Sequence, residues 1–212
     1  RLLDIAVTSD GFQQIAVGNG IWRGFLGIWS KVESGSSWTC VAMSANGLRV
    51  AVGMSGGKIN TSSDSGTTWT NTNDSPVAFW TGMASSDDGT KLAAVADNKQ
   101  IYTSSNSGAN WTPHEQARSW QSVTSNSDGT KLAAVVTNGQ IYTSIDSGSS
   151  WTPRESNRFW YEIASSADGT RLVAVASDGV FTSSDSGVNW TQRNSLGWTN
   201  VTSSPDGIRL AA

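Results

Sequence analysis

The residues able to do acid–base or nucleophilic chemistry are few. The chain of 212 residues holds one His, one Cys, and 17 Asp and Glu. A glycosidase needs two carboxylates about 5–10 Å apart across a cleft. Most acids here recur at equivalent positions: Asp64, Asp146 and Asp185 in one kind of turn, and Asp88, Asp128, Asp168 and Asp206 in another. A side chain that returns with every copy of a repeat serves the fold first, so these are read as turn residues. Glu33, Asp74, Glu115, Glu155 and Glu162 stand outside that pattern. Tyr161 and Glu162 are the one adjacent Tyr–Glu pair, but strand alternation sends them to opposite faces. His114, in TPHEQARSW, has no Ser or Cys partner in a nucleophile motif and reads as an exposed loop residue. The single Cys40 excludes an intrachain disulfide and a multi-Cys metal site, and reads as a small buried apolar residue. No phosphate-binding Gly loop is present; Ser55–Gly57 reads as a turn. No catalytic residue, metal ligand or cofactor is therefore assigned.

The elements that must carry any site come from one repeated unit, clearest in WQSVTSNSDGTKLAAVVTNGQIYTSIDSGSSWT from Trp120 to Thr152. Four short strand-like runs, WQSVTS, KLAAVV, QIYTS and the run from SWT, are separated by SDG, TNG and IDSGSS, which supply the Gly, Asn and Asp that reversing backbone requires. The unit openers are Leu2, Trp38, Trp80, Trp120, Trp160 and Trp198, so the spacings are 36, 42, 40, 40 and 38. A period near 40 with four strands per unit predicts an all-β fold, a β-propeller of four-stranded antiparallel blades. The expected repeats are 2–37, 38–79, 80–119, 120–159 and 160–197 with a partial sixth at 198–212, all in one domain spanning 1–212. KLAAVA, KLAAVV and RLVAVA are continuous apolar runs, as strands covered on both faces require. The third residue after each opener is large (Ile5, Val41, Met83, Val123, Ile163, Val201) and the next is Ala or Thr, which suits one large-residue face and one small-residue face per blade.

Four turns share a motif: Ser62, Asp64, Gly66, Trp69; Ser104, Asn106, Gly108, Trp111; Ser144, Asp146, Gly148, Trp151; and Ser183, Asp185, Gly187, Trp190. This pattern resembles the Asp-box, or BNR repeat, of sialidases, sortilin-type receptors, xyloglucan-active glycoside hydrolases and the photosystem II assembly propeller. The resemblance covers about five of the units. It implies a propeller in which these boxes are structural and lie away from any active face. Physically, the carboxylate accepts turn N–H groups, Gly permits positive φ, and Trp caps the turn; Asn106 does the same without charge. Sialidases of this type also need an Arg triad, and the Arg residues here are scattered.

A net charge of −3 and pI near 5.0 exclude an electrostatic grip on nucleic acid. No apolar run reaches the roughly 20 residues of a spanning helix, so membrane insertion is not expected. The least repetitive segments are the loops between units, NTNDSPVAF, PHEQARS, PRESNRF and QRNSLG, and loops on a rigid scaffold are where binding resides. The expected ligand face therefore holds Arg118, Arg154, Arg158, Arg193, His114 and Glu115, with the opening rings of Trp80, Trp120, Trp160 and Trp198 near the channel mouth. The expected function is a non-catalytic binding or scaffold propeller, extracellular or on the cell surface, with carbohydrate or protein as partner. A sialidase- or xyloglucanase-like glycoside hydrolase fragment is the competing class, and an assembly chaperone like the photosystem factor the third. A carboxylate pair at the channel mouth marks the enzyme, exposed Trp there the lectin, and a broad Arg patch the chaperone. The repeat count is also that of a piece of a longer array, with open blade edges available for self-association.

Overall fold

The structure, a computed structural model, describes residues 2–34, 37–72 and 74–211. Asn73, in the NTNDSPVAF loop, lies outside them. Every regular element among the described residues is a strand. Blade 1 is β1 (Leu2–Val7), β2 (Gln13–Gly18), β3 (Gly20–Phe25) and β4 (Ile28–Ser34). Blade 2 is β5 (Trp38–Met43), β6 (Val50–Gly57), β7 (Ile59–Ser62) and β8 (Thr70–Asn71). Blade 3 is β9 (Ala78–Ser85), β10 (Leu92–Ala96), β11 (Lys99–Ser104) and β12 (Thr112–Arg118). Blade 4 is β13 (Trp120–Ser125), β14 (Leu132–Gly139), β15 (Ile141–Ser144) and β16 (Thr152–Pro153). Blade 5 is β17 (Arg158–Ser165), β18 (Leu172–Ala176), β19 (Gly179–Ser183) and β20 (Thr191–Asn194). A sixth unit contributes the pair β21 (Thr202–Ser203) and β22 (Leu210–Ala211).

Within each blade, consecutive strands pair antiparallel. The Asn-Gly at 138–139 and the Gly-Gly at 56–57, expected as turns, instead lie in the assigned ends of β14 and β6. These strands run on to pair with the next blade, Gly139 with Arg158 and Gly57 with Ala78, so blades 2 and 3, and blades 4 and 5, form eight-stranded sheets. Positive φ at Asn138 and Gly56 lets the strand swing across. Trp198, expected to open the sixth inner strand, precedes it: β21 begins at Thr202.

The core lies between blades. In each of blades 2 to 5, the opener and the third residue after it face the preceding blade. Trp120 and Val123 cluster with Ala93, Val95 and Ile101 of blade 3, and Trp160 and Ile163 with Ala133, Val135 and Ile141 of blade 4. Trp80 and Met83 meet Cys40, Ala42, Ala51 and Ile59 of blade 2, the small-residue face that lets the sheets approach. Removing one such Trp costs about 3–5 kcal/mol on the scale of buried aromatic truncations. A backbone relay ties the blades at one end: Ser9 N–H donates to Ala45 C=O, Ala45 to Asp87, Asp87 to Ser127, Ser127 to Ala167 and Ala167 to Pro205, at 2.7–3.1 Å.

The four motif turns close with one geometry. The Ser144 hydroxyl donates to Asp146 Oδ1 (2.8 Å) and accepts Gly148 N–H (2.9 Å), while Asp146 Oδ1 accepts Ser150 N–H (2.9 Å). Asn106 repeats this through its amide oxygen, accepting Asn110 N–H at 2.9 Å. The residue before each Gly (Ser65, Ser107, Ser147, Ser186) also takes positive φ, between 58 and 61°.

Candidate functional site

The channel wall is set by a defect that recurs in every inner strand. The ladders of β1, β5, β9, β13 and β17 with their neighbours all slip between the opener and the second residue after it: Trp120 pairs with Val136 but Ser122 with Val135. One extra residue is thus bulged out at Leu3, Thr39, Thr81, Gln121 and Tyr161. A bulge re-aims a side chain that alternation would otherwise place in the sheet face. All five line an axial cavity of about 440 Å³, joined by Asp4, Ser122, Glu162, Thr199 and Asn200. The bulge also overturns the expected separation of Tyr161 from Glu162, since both line this cavity.

Asp4 and Glu162 are the carboxylates of the cavity, and each stands two residues after its opener. Each reaches the next blade: Asp4 Oδ2 accepts Val41 N–H at 2.9 Å and Glu162 Oε2 accepts Val201 N–H at 2.7 Å. Burial pushes the Asp4 carboxyl up, against the pull of the Val41 and Ile5 N–H groups. Burial likewise raises Glu162; its bond to Val201 lowers it, and the charge of Asp4 raises it further. Burial, then the charge of Asp4, pushes the neighbouring Cys40 thiol up to about 12, so it stays a neutral, inert thiol. Sequence reasoning missed Asp4 because blade 1 lacks its opening Trp. The available signal was its match to Glu162 in distance from the opener.

The other expected ligand residues are not gathered around this cavity. Trp80, Trp120 and Trp160 are 0–1 % exposed, so no ring face is open to a ligand. They stack edge-on against Tyr102, Tyr142 and Phe181 at 5.0–5.6 Å, and Trp80 Nε1 donates to Gly57 C=O. Trp198 is 37 % exposed. Arg118 lies over Tyr142 at 5.0 Å and pairs with Glu115, and Arg158 lies over Phe181 at 4.4 Å and pairs with Glu155 and Asp178. These guanidinium groups cap the aromatic pair beneath them. His114 and Arg193 on the outer strands, and Arg154 just past the end of β16, share one role, each hydrogen-bonded to a Thr of the third strand: Thr103 (2.8 Å), Thr182 (2.6 Å) and Thr143 (3.0 Å). His114 is half-buried, and burial lowers its pKa while Asp146 opposes. It lines a rim groove of about 380 Å³ between blades 3 and 4, and Arg193 lines a similar groove between blade 5 and the sixth unit. The same side-chain-to-Thr bond at successive blades marks these three residues as part of the architecture.

Five four-stranded blades around an axial cavity define a β-propeller. No family model and no curated protein matches the chain. Among solved structures it is similar to an ancestral GH74 enzyme (TM-score 0.78, 14% identity, covering 98% of this chain and 33% of that one). It is also similar to the GH74 enzyme of Niastella koreensis (0.73, 20%, 98% and 34%) and to the GH74 xyloglucanase of Xanthomonas campestris (0.71, 16%, 90% and 38%). At these identities the likeness establishes the fold, and the chain spans 33–38% of the length of each of these structures.

Proposed function

We propose that this chain is a non-catalytic carbohydrate-binding propeller whose ligand enters the axial cavity. The observation that carries this reading is the bulge repeated in five inner strands, which brings Leu3, Thr39, Thr81, Gln121 and Tyr161 to the cavity wall. Thr39 and Thr81 also staple neighbouring blades, donating to the carbonyls of Trp80 (2.7 Å) and Trp120 (2.8 Å). Gln121 and Tyr161 vary from that Thr, and together with Asn200, Asp4 and Glu162 they offer the amide, phenol and carboxylate groups that recognise sugar hydroxyls. The GH74 description of the similar structures supports a carbohydrate over a protein partner. The four motif turns are read as Asp-boxes that brace the blades, and the protein as acting outside the cell or on its surface. Calorimetric titration with xyloglucan oligosaccharides tests this. Gln121→Ala and Tyr161→Ala should each weaken binding about tenfold, the size of one lost hydrogen bond at about 1.4 kcal/mol, and Asp64→Asn should leave it unchanged. Binding indifferent to both cavity variants, or no binding to any oligosaccharide in a glycan array, overturns the proposal.

A second reading, a glycoside hydrolase, is favoured by the Asp4–Glu162 pair. Burial raises both carboxyls, the direction a general acid needs, and both groups line the same cavity. Both are also tied to backbone amides, the posture of structural staples. Reducing-sugar release that disappears in Asp4→Asn and Glu162→Gln would establish hydrolysis; binding without turnover leaves the first reading standing.

A further inference from the structure

The rim grooves between interior blades repeat in plan and differ in how much space they leave. Between blades 3 and 4 the groove holds about 380 Å³. One blade on, Lys131, Leu132, Ser144 and Gly169 stand where Lys91, Leu92, Ser104 and Gly129 line that groove, and the space there is about 10 Å³. The side chains at matched positions differ in one direction. His114 stands where blade 4 has the longer, charged Arg154, and Asn106 where it has Asp146. Ser105 offers a hydroxyl where blade 4 has Ile145, and Ser149, facing the wider groove from blade 4, offers one where blade 5 has Val188. The third strand records the difference. Thr143, bonded to Arg154 Nε at 3.0 Å, is 4 % exposed, whereas Thr103, bonded to His114 Nε2 at 2.8 Å, is half-buried.

The wider groove is close to neutral. Leu92 and Leu132 give it apolar wall, and Thr103, Ser105, Asn106 and Thr112 bring hydroxyl and amide groups to it. The amide is held in place: Asn106 Nδ2 donates to Asn110 Oδ1 at 2.8 Å, and Asn110 Nδ2 donates to Asp74, a carboxylate outside the repeated turns. Burial lowers the His114 pKa against the opposing charge of Asp146, so the imidazole is uncharged at neutral pH. Lys91 is the remaining charged side chain of the lining. Its ammonium donates to Ser147 Oγ at 3.3 Å, and its charge bears on Asp128, whose carboxyl is held down first by Thr130. An ionic ligand therefore finds no free counter-charge, whereas one with an apolar ring face and a hydroxyl edge finds both kinds of partner in a space of ordinary ligand size. We infer that the rim groove between blades 3 and 4 is a second saccharide site, seating a sugar unit against Leu92 and Leu132 with its hydroxyls on Thr103, Ser105, Asn106 and Thr112. The inference rests on the carbohydrate reading of the axial cavity and adds a site that shares no lining residue with it.

The chain has a single His, so the imidazole resonances of His114 are a reporter placed in this groove. Titration with a xyloglucan heptasaccharide, followed in parallel by His114 NMR and by calorimetry, separates the two sites. His114 should shift saturably, and the shift should persist in Gln121→Ala and Tyr161→Ala. Ser105→Ile combined with Ser149→Val should weaken that response at least about tenfold, the loss of one to two hydrogen bonds. Both replacements are already carried by equivalent motif turns, at the exposed Ile145 and Val188, so the turns accept them. His114→Arg, which restores the arrangement of the closed groove, should lower the calorimetric stoichiometry from two to one and leave the heat that depends on Gln121. Binding heat with an unmoved His114 signal overturns the rim site and leaves the axial reading standing. A saturable His114 shift with heat indifferent to Gln121→Ala and Tyr161→Ala does the reverse. A shift that vanishes in Gln121→Ala, or that keeps full affinity in the Ser105→Ile, Ser149→Val chain, also overturns the rim site, and silence in both measurements overturns both sites.

Discussion

Asp146 and Glu162 are both carboxylates, and the fold treats them in opposite ways. Asp146 accepts the Ser150 hydroxyl and N–H and the Ser144 hydroxyl, and these bonds hold its pKa down to about 2. Its folded value lies below the ordinary 3.8, so its contribution is complete above 3.8 and is lost as pH falls towards about 2. Asp146→Ala should cost on the order of 1 kcal/mol in urea unfolding at neutral pH, with wild type and variant converging in acid. A difference that persists below the folded pKa would show that something other than the ionised turn is lost. Glu162 runs the other way. Burial raises its folded pKa above 4.5, so the favourable linkage is complete below 4.5 and disappears as pH rises through the folded value. Glu162→Gln keeps an acceptor for Val201 N–H and removes the buried charge, and it should raise Tm at pH 7, with the gain shrinking as pH falls through the folded value and gone below 4.5. Unchanged or lower Tm at pH 7 would mean that the charge itself has a partner in the cavity. The sequence made the role of Asp146 plain because the same Ser, Asp, Gly and Trp return in blade after blade. It hid Asp4, which has one counterpart in Glu162 and sits in the most divergent unit.

At the level of elements, a motif turn is both a closed loop and a contact between blades. Gly148 has φ +86°, and a Cβ there would lie 2.6 Å from Thr103 Cγ2 of blade 3. Gly108 and Gly187 meet Thr61 and Thr143 in the same way, at 2.7 and 2.6 Å. The Gly is therefore required by its dihedral and by the neighbouring blade together. Gly148→Ala should destabilise by roughly 1–3 kcal/mol, and Thr103→Ser, which removes the obstructing methyl, should recover part of that loss in a double-mutant cycle of thermal melts. Strict additivity of the two changes would separate the turn from the interface. The blades, their four strands and these turns were legible because each leaves a periodic mark: Trp openers, Asp-Gly pairs, continuous apolar second strands. The bulge left none. Reading Trp160, Tyr161 and Glu162 by simple alternation puts neighbours on opposite faces, and a single inserted residue, visible only in the ladder register, brings Tyr161 and Glu162 to one cavity. The same blindness made buried Trp80, Trp120 and Trp160 look like ligand platforms, since an opener that seals a blade interface and one that faces the channel share one residue type.

Across the whole molecule, stability is laid out blade by blade, as in any array whose units touch chiefly their neighbours. β10, β14 and β18 each sit between two other blades, and their apolar residues from Ala93 to Ala96, Ala133 to Val135 and Val173 to Ala176 are at most 1 % exposed. Strand pairing from β6 to β9 and from β14 to β17 joins blades 2 with 3 and 4 with 5, and the backbone relay through Asp87, Ser127 and Ala167 continues across all of them. The flanks lack this support. β1 is half exposed along its length, and β21 and β22 pair only with each other. Local opening of β1 with β2, or of β21 with β22, sacrifices one interface, whereas opening blade 3 or 4 sacrifices two. Amide hydrogen exchange at neutral pH should therefore proceed from both flanks inward, fastest at β1 and β22 and slowest at Ala94, Ala134 and Ala174. Residues of blade 2 and blade 5 should fall between. If all five blades exchanged at one rate, opening would be a single global event and the interfaces would be coupled far beyond nearest neighbours.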